Sequence, residues 1–142
     1  MTLAREEAFA SVADHHQGVL VTVRHDGRPR LSNIIYAPGS DDSVRISVTD
    51  SRAETRNLRR DPRASLHVTR EDFYAYVVLE REAALSPVAR SVDDPVVEEP
   101  VELYRTLRGE HPDWDEYHRV MVPEGRLAVT RSADRAYGML GR

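Results

Sequence analysis

The feature that most constrains the fold is a series of short, β-branched segments separated by tight turns. The segment GVLVTV at residues 18–23 leads through RHDGRP into RLSNIIY at residues 30–36. The Asp26-Gly27 pair between two such segments is typical of a β-hairpin. After a further turn, APGSDDS, the alternation of apolar and polar residues in VRISVT at residues 44–49 predicts a third strand. The sheet is therefore expected to begin with three consecutive antiparallel strands.

The remaining segments extend this sheet and place helices around it. Helices are predicted at residues 3–13, 52–60, 101–108 and 113–120, and strands at 64–68, 73–85 and 125–131, the first two of which form a second hairpin. Strands joined by tight turns, with few helices, favour a mainly β fold in which an antiparallel barrel is flanked by short helices. A single domain spanning residues 1–142 fits this length.

Composition excludes several classes of protein and site. The chain has no cysteine, which rules out disulfides and thiolate metal sites and is compatible with the cytoplasm. No apolar run approaches the ~18 residues of a membrane span, and the first residues do not resemble a secretory signal. The sequence lacks the histidine spacings of a metal site, the G-x-S-x-G motif of serine hydrolases, and the G-x-G-x-x-G and Walker motifs of nucleotide-binding proteins. No metal ligand and no catalytic side chain is therefore predicted.

Charge is concentrated in the segment SRAETRNLRRDPRAS at residues 51–65. Residues 51–63 contain five arginines and two acids, Glu54 and Asp61, which gives this segment a net charge of +3. The whole chain carries a net charge of −4. The segment is therefore open to three interpretations: a nucleic-acid patch, an anion-binding helix start, or a solvated surface. The acidic balance of the whole chain argues against a nucleic-acid backbone and favours a small anion over it.

The same segment has the pattern of a short helix that follows a strand. Ser51 and Glu54 have the spacing of a capping box, and the helix is expected to end before the Asp61-Pro62 pair. A helix start offers unpaired N–H groups to an anion, and Arg52 and Arg56 would share one helix face. The alternative is a solvated helix in which Leu58 alone is buried.

Three segments together resemble a known superfamily. GVLVTVRHDGRPRLSNIIY, RAETRNLRRDPRAS and GEHPDWDEYHRVM, in this order, are similar to the pyridoxamine 5′-phosphate oxidase-like split β-barrel proteins, and most of all to their actinobacterial branch that binds coenzyme F420. The resemblance covers roughly residues 18–138. It implies a homodimer of six-stranded antiparallel split β-barrels, of the FMN-binding split-barrel type, with a cofactor groove at the dimer interface.

The resemblance also implies roles for individual residues. The positions that match cofactor contacts in the family are Asn33, Ser47, Val48, Arg52, Thr55, Arg56, Asn57 and Tyr76. Of these, Arg52 and Thr55 match positions that hold the cofactor phosphate, and Arg56 and Asn57 extend that motif, with a structural role as the alternative for Asn57. Tyr76 matches an aromatic position that approaches the cofactor from the other subunit. Two residues depart from the family pattern: Glu54 stands where relatives carry lysine, and Arg81 stands where they carry glycine.

The expected function follows from the resemblance. It is transfer of a hydride from reduced F420 to a small conjugated substrate by a cytoplasmic homodimer, without a partner nucleic acid or membrane. The alternatives are an FMN-dependent oxidase or reductase on the same fold, and a cofactor-binding protein without catalysis.

Overall fold

A computed structural model of the protein describes residues 3–38, 43–49, 52–85, 110, 112–114, 126–132 and 135–140. Two helices and eight strands lie in this part of the chain. In chain order they are α1 (Arg5–Ala13), β1 (Gln17–Val23), β2 (Pro29–Pro38), β3 (Ser43–Thr49), α2 (Ala53–Arg60), β4 (Arg63–Thr69), β5 (Tyr76–Glu82), β6 (Ala84–Leu85), β7 (Arg126–Ser132) and β8 (Arg135–Met139).

Both predicted hairpins are confirmed. Strands β1 and β2 pair antiparallel from Gln17 opposite Ile35 to Val23 opposite Pro29, and β4 pairs antiparallel with β5. The predicted strand at residues 73–85 was wrong at its start, because Phe73 and Tyr74 lie in the turn that joins β4 to β5. Strand β8 was not predicted, and the helices predicted at 101–108 and 113–120 fall almost entirely outside the described residues.

The strand order explains how eight strands form a six-stranded split barrel. The order in the sheet is β6-β7-β3-β2-β1-β4-β5-β8. Only Ala83 separates β5 from β6, so these two behave as one strand that pairs with β4 along its first part and with β7 along its second. The ring of six is therefore closed through β6, while β8 continues the sheet beyond β5. The predicted split barrel with flanking short helices is confirmed.

The two helices pack against opposite ends of the first hairpin. At the α1 end, the hydroxyl of Tyr36 donates a 2.6 Å hydrogen bond to the carbonyl of Val12, and both residues are fully buried. At the α2 end, Leu58 enters the same hydrophobic core that contains Leu20 and Leu66. Burial of these apolar side chains is the main force that holds the helices to the sheet.

Strand β2 pairs with β1 and with β3 over different parts of its length. It pairs with β1 over residues 29–35, and its pairing with β3 is confined to Tyr36–Pro38 opposite Val44–Ile46. The alternation of exposed and buried residues along β2 breaks where Tyr36 and Ala37 are both buried. We call the place where these two strands no longer pair, between residues 33–35 of β2 and residues 47–49 of β3, the split.

Candidate functional site

Residues on both sides of the split coincide with predicted site positions. Had the β2–β3 register continued past the Tyr36–Ile46 pair, Asn33 would lie opposite Thr49 and Ile34 opposite Val48. Instead, Ser47 and Val48 pair only with Ala128 and Leu127 of β7 within the described strands. Asn33 therefore lies on the β2 side of the split, and Ser47 and Val48 lie on its β3 side.

Helix α2 begins just beyond the end of β3. Its first helical residue is Ala53 and its N-cap is Arg52, which has an extended backbone and no side-chain cap hydrogen bond. The predicted capping box of Ser51 with Glu54 was wrong, because a helix that starts one residue later puts Glu54 at the second helical position instead of the third. The first intrahelical bond found here runs from the N–H of Arg56 to the carbonyl of Arg52. The N–H groups that precede it have no intrahelical acceptor, as at any helix start.

Helix α2 has one polar buried face and one arginine-rich exposed face. Glu54, Thr55, Asn57 and Leu58 are buried, whereas Arg52, Arg56, Arg59 and Arg60 are exposed. The interpretation of a solvated helix with Leu58 alone buried was therefore wrong. Since a helix places residues four apart on the same face, the Arg52 and Arg56 side chains emerge together beside the split.

Both polar atoms of the Asn57 side-chain amide form hydrogen bonds. Its Nδ2 donates to the Thr22 hydroxyl at 3.1 Å, and its Oδ1 accepts a 3.0 Å hydrogen bond from Arg60. The Arg60 guanidinium also donates to the carbonyl of Val23 at 2.7 Å. These bonds attach α2 to the end of β1, so the geometry makes Asn57 a residue that positions the helix.

The arginines of this segment differ in how far they are already used. Arg63 donates to the Asp61 carboxylate at 2.8 Å, and this hydrogen bonding holds the pKa of Asp61 below its usual value. Arg60 is held by α2 and β1. The Nη1 atom of Arg52 lies 3.7 Å from a Glu54 carboxylate oxygen, with the Arg52 side chain 59% exposed and that of Glu54 only 4%.

The same contact shows where the Glu54 side chain lies. Its carboxylate is buried beside the Arg52 guanidinium and does not point into solvent, so it lowers the local net charge without occupying the exposed arginine face of α2. For Arg56, the described residues provide no ion-pair partner, and its exposed guanidinium can meet an anion. Arg81, the other departure, is exposed at the end of β5 opposite Ala64 of β4.

Thr55 and Tyr76 do not reach the split in the way their family positions suggest. Thr55 is fully buried, so its side chain faces the barrel and not the exposed arginine face. Tyr76 lies on β5, three strand spacings from β2, or about 14 Å across the sheet. Asn33 and Tyr76 of one chain consequently cannot contact the same edge of a small ring system.

Tyr76 belongs to a surface that the sequence did not reveal, which we call the outer face. It is the solvent side of the five strands β2, β1, β4, β5 and β8. One row across it joins Asn33, Val19, His67, Val78 and Tyr137, as the strand registers show. Leu31, Ile35, Tyr137 and Met139 are 63%, 47%, 37% and 46% exposed on this face. The His67 and Tyr76 rings stack there with centroids 5.4 Å apart. Alternation along each strand was readable, but which strands adjoin was not.

No group of three or more histidine, aspartate or glutamate side chains is arranged to hold a metal ion in the described part of the chain. Neither α1 nor α2 is long and apolar enough to cross a membrane.

Comparison with known proteins identifies the family. The family model described as pyridoxamine 5′-phosphate oxidase matches residues 4–135, which is most of the chain. The chain therefore belongs to the pyridoxamine 5′-phosphate oxidase family, as the resemblance of its motifs predicted.

Solved structures share the fold at low sequence identity. A conserved hypothetical protein from Mycobacterium tuberculosis is 23% identical with a TM-score of 0.71, over 96% of this chain and 84% of that one. An F420 reductase is 20% identical with a TM-score of 0.66, over 96% and 98% of the two chains. A heme binding protein from Mycobacterium smegmatis is 22% identical with a TM-score of 0.68, over 100% and 57%.

Proposed function

We propose that the protein is a cytoplasmic F420-binding oxidoreductase that reduces a small conjugated substrate. The observation that carries the proposal is the arginine face of α2 emerging directly beside the split. A narrow opening between two strands, followed at once by a helix start with exposed arginines, suits a ligand with a planar ring and a phosphate. The F420 reductase among the structures of the same fold supports this choice of cofactor.

Each residue has a distinct part in the proposal. Arg52 and Arg56 bind the phosphate, together with the backbone N–H groups of Ala53 and Glu54 at the helix start. Asn33, Ser47 and Val48 border the split and orient the ring system. Thr55 and Asn57 stay within the protein and hold α2 in place, which differs from the direct contact that the family positions suggested.

The chain supplies position and electrostatics, and the cofactor supplies the reaction. When bound, reduced F420 provides the hydride. The buried carboxylate of Glu54 restrains the Arg52 guanidinium at the border of the split. The apolar side chain of Ile35, on the same exposed face of β2 as Asn33, excludes water from the ring site and favours a flat, conjugated substrate.

Turnover tests this proposal directly. Reduced F420 should lose its electrons to quinone, enone or nitroaromatic acceptors in the presence of the protein, followed by absorbance. Arg56→Ala should lower kcat/KM about tenfold or more through weaker phosphate binding. Arg28→Ala, which removes an exposed arginine from the β1–β2 turn, is the matched control and should leave the rate unchanged. Absence of turnover with every acceptor would overturn the catalytic part of the proposal.

FMN in the same site is the second candidate, and the family match favours it. The match is to an oxidase family as a whole and does not by itself select a deazaflavin. A parallel anaerobic assay with reduced FMN and the same acceptors, corrected for the rate without protein, separates the two, because an FMN-dependent enzyme would turn over with FMN and not with F420.

We also propose that the protein is a homodimer through the outer face. Four large apolar side chains exposed on one sheet surface are typical of an interface. A second copy packed there would bring its own Tyr76 and His67 toward the split, which the same chain's Tyr76 cannot reach. Light scattering should give twice the chain mass of 16.1 kDa.

A paired substitution locates that interface. Leu31→Glu with Ile35→Lys should yield a monomer, whereas Phe73→Ser, at an aromatic residue in the β4–β5 turn, should remain a dimer. A wild-type monomer at micromolar concentration would contradict the proposal, and so would a dimer that tolerates the paired change.

A further inference from the structure

A cavity of about 580 Å³ lies at the end of the barrel opposite α2. It is bounded by the C-terminal end of α1, the turn between β4 and β5, and the end of β8. Its lining includes Asp14, His15, Glu71, Asp72, Tyr74 and Met139. The volume is within the range of small-molecule sites in proteins.

The polar groups of this cavity are almost all hydrogen-bond acceptors. Its one arginine, Arg70, is already used, since its Nη1 donates to the Ser11 hydroxyl at 2.9 Å. The Nδ1 atom of His15 lies 3.1 Å from the Ser11 carbonyl and must donate to it, so Nε2 of the neutral ring is an acceptor. The carboxylates of Asp14, Glu71 and Asp72 are the remaining acceptors, and Asp72 Oδ1 already accepts from the Tyr74 backbone N–H at 3.1 Å.

The electrostatic potential at the cavity is set by its acidic side chains. The last turn of α1 contains no basic residue of its own, and its C-cap is Asp14. The Ser11 carbonyl in that turn accepts from Arg70 Nη1 at 3.5 Å and lies 3.1 Å from His15 Nδ1, so these contacts offset the partial negative charge of the helix end. With three carboxylates against Arg70, the formal charge of the lining is −2 when His15 is neutral, which favours a cation.

An apolar wall stands beside these acceptors. Tyr74 is 64% exposed and meets Phe73 edge-to-face, with ring centroids 5.8 Å apart. Met139 is 46% exposed on the other side, and Leu140 packs against the core below. An exposed aromatic ring beside carboxylates suits a positively charged group through a cation–π contact.

We propose that this cavity binds a small organic cation, an amine or a guanidine that carries an apolar body. The ammonium or guanidinium group donates to the Asp14, Glu71 and Asp72 carboxylates, and the apolar body packs on Tyr74 and Met139. None of the residues assigned to the proposed cofactor site lines this cavity.

Three probes of matched size test the charge requirement. The probes are cationic 2-phenylethylammonium, neutral 2-phenylethanol and anionic 3-phenylpropanoate. Each is titrated against the full-length wild-type protein without cofactor, and binding is followed by ligand-observed NMR. The cation should bind about tenfold or more tightly than either isostere, and its affinity should fall with added salt. Equal binding of the three probes, or no binding of the cation at millimolar concentration, would overturn the proposal.

Substitutions then locate the site. Asp14→Asn with Glu71→Gln should weaken binding of 2-phenylethylammonium about fivefold or more, and Tyr74→Ala should weaken it further. Glu82→Gln, at an exposed acid at the far end of β5, is the matched control and should change affinity less than twofold. Because Asp14 and Glu71 are exposed, both variants should fold, which thermal unfolding checks. An unchanged affinity in the double variant would show that the cation binds elsewhere and refute the assignment.

Discussion

Replacement of Asn57 by alanine should destabilise the protein without any ligand present. The change removes the hydrogen bond to the Thr22 hydroxyl and the acceptor of the Arg60 guanidinium. Thr22 is fully buried, so its hydroxyl would lose a partner where no water replaces it. A lost neutral hydrogen bond costs about 1 kcal/mol and a buried polar group without a partner about 1–3 kcal/mol. Arg60 keeps its bond to the carbonyl of Val23, so we expect a total of about 2–3 kcal/mol.

Urea unfolding at a fixed protein concentration measures this loss. At a typical slope of about 1–3 kcal/mol per molar urea, the midpoint should fall by roughly 1–2 M. Arg56→Ala is the matched control on the same helix and should stay within about 0.5 kcal/mol of the wild type, because its side chain is exposed.

A double-mutant cycle then isolates the pair. Thr22→Val removes the hydroxyl while keeping the shape of the side chain, and the combined variant should be less destabilised than the sum of the two by about 1 kcal/mol. Additive effects, or an Asn57→Ala variant as stable as the wild type, would refute the assignment of Asn57 as the residue that attaches α2 to β1.

Three further predictions follow from buried contacts. Gly138→Ala should destabilise the protein by more than about 2 kcal/mol, because its φ is +146° and a Cβ there would overlap the carbonyl oxygen of Tyr76. A urea midpoint equal to the wild type's would exclude this close approach of β8 to β5. Burial, with a smaller effect of the Asp14 charge, raises the pKa of Tyr36. The contribution of the neutral Tyr36 hydroxyl to the free energy of unfolding should therefore be complete below about pH 10, and it should be lost as the pH rises further. Tyr36→Phe should cost about 1–2 kcal/mol at neutral pH and flatten that alkaline decline, as urea titrations at several pH values would reveal. Glu54→Lys should destabilise by about 2–4 kcal/mol by placing a buried ammonium beside Arg52, whereas Glu54→Gln should cost about 1 kcal/mol; calorimetric midpoints in the reverse order would contradict the buried position of the carboxylate.

Much of the sheet was predictable because its signals are local. The Asp26-Gly27 turn and the alternation in residues 44–49 depend on neighbours in sequence, and both predicted the observed strands. Strand β8 was missed because its pattern, RAYGM, is short and contains glycine, which weakens a strand signal. Closure of the ring through Ala83 depends on pairing between β6 and β7, which are distant in sequence.

The candidate site shows the same division. The sequence indicated that Arg52 and Arg56 share a helix face, and the structure exposes both. It gave no sign that Thr55 and Asn57 are buried, because polar residues are usually exposed and only the network with Thr22 and Arg60 makes their burial acceptable. The position of Glu54 depended on the residue at which α2 starts, and helix ends are the least predictable part of a helix.

The central claim is that the arginine face of α2 binds the phosphate of a cofactor held in the split. Binding titrations with F420 and FMN test it most directly, and they compare the wild type with Arg52→Ala, Arg56→Ala and the Arg28→Ala control. The account predicts that the wild type binds F420 more tightly than FMN, that each α2 variant weakens binding by about tenfold or more, and that the control binds as the wild type does. Wild-type affinity in both α2 variants would contradict it and would leave the exposed arginine face of α2 without a role in cofactor binding.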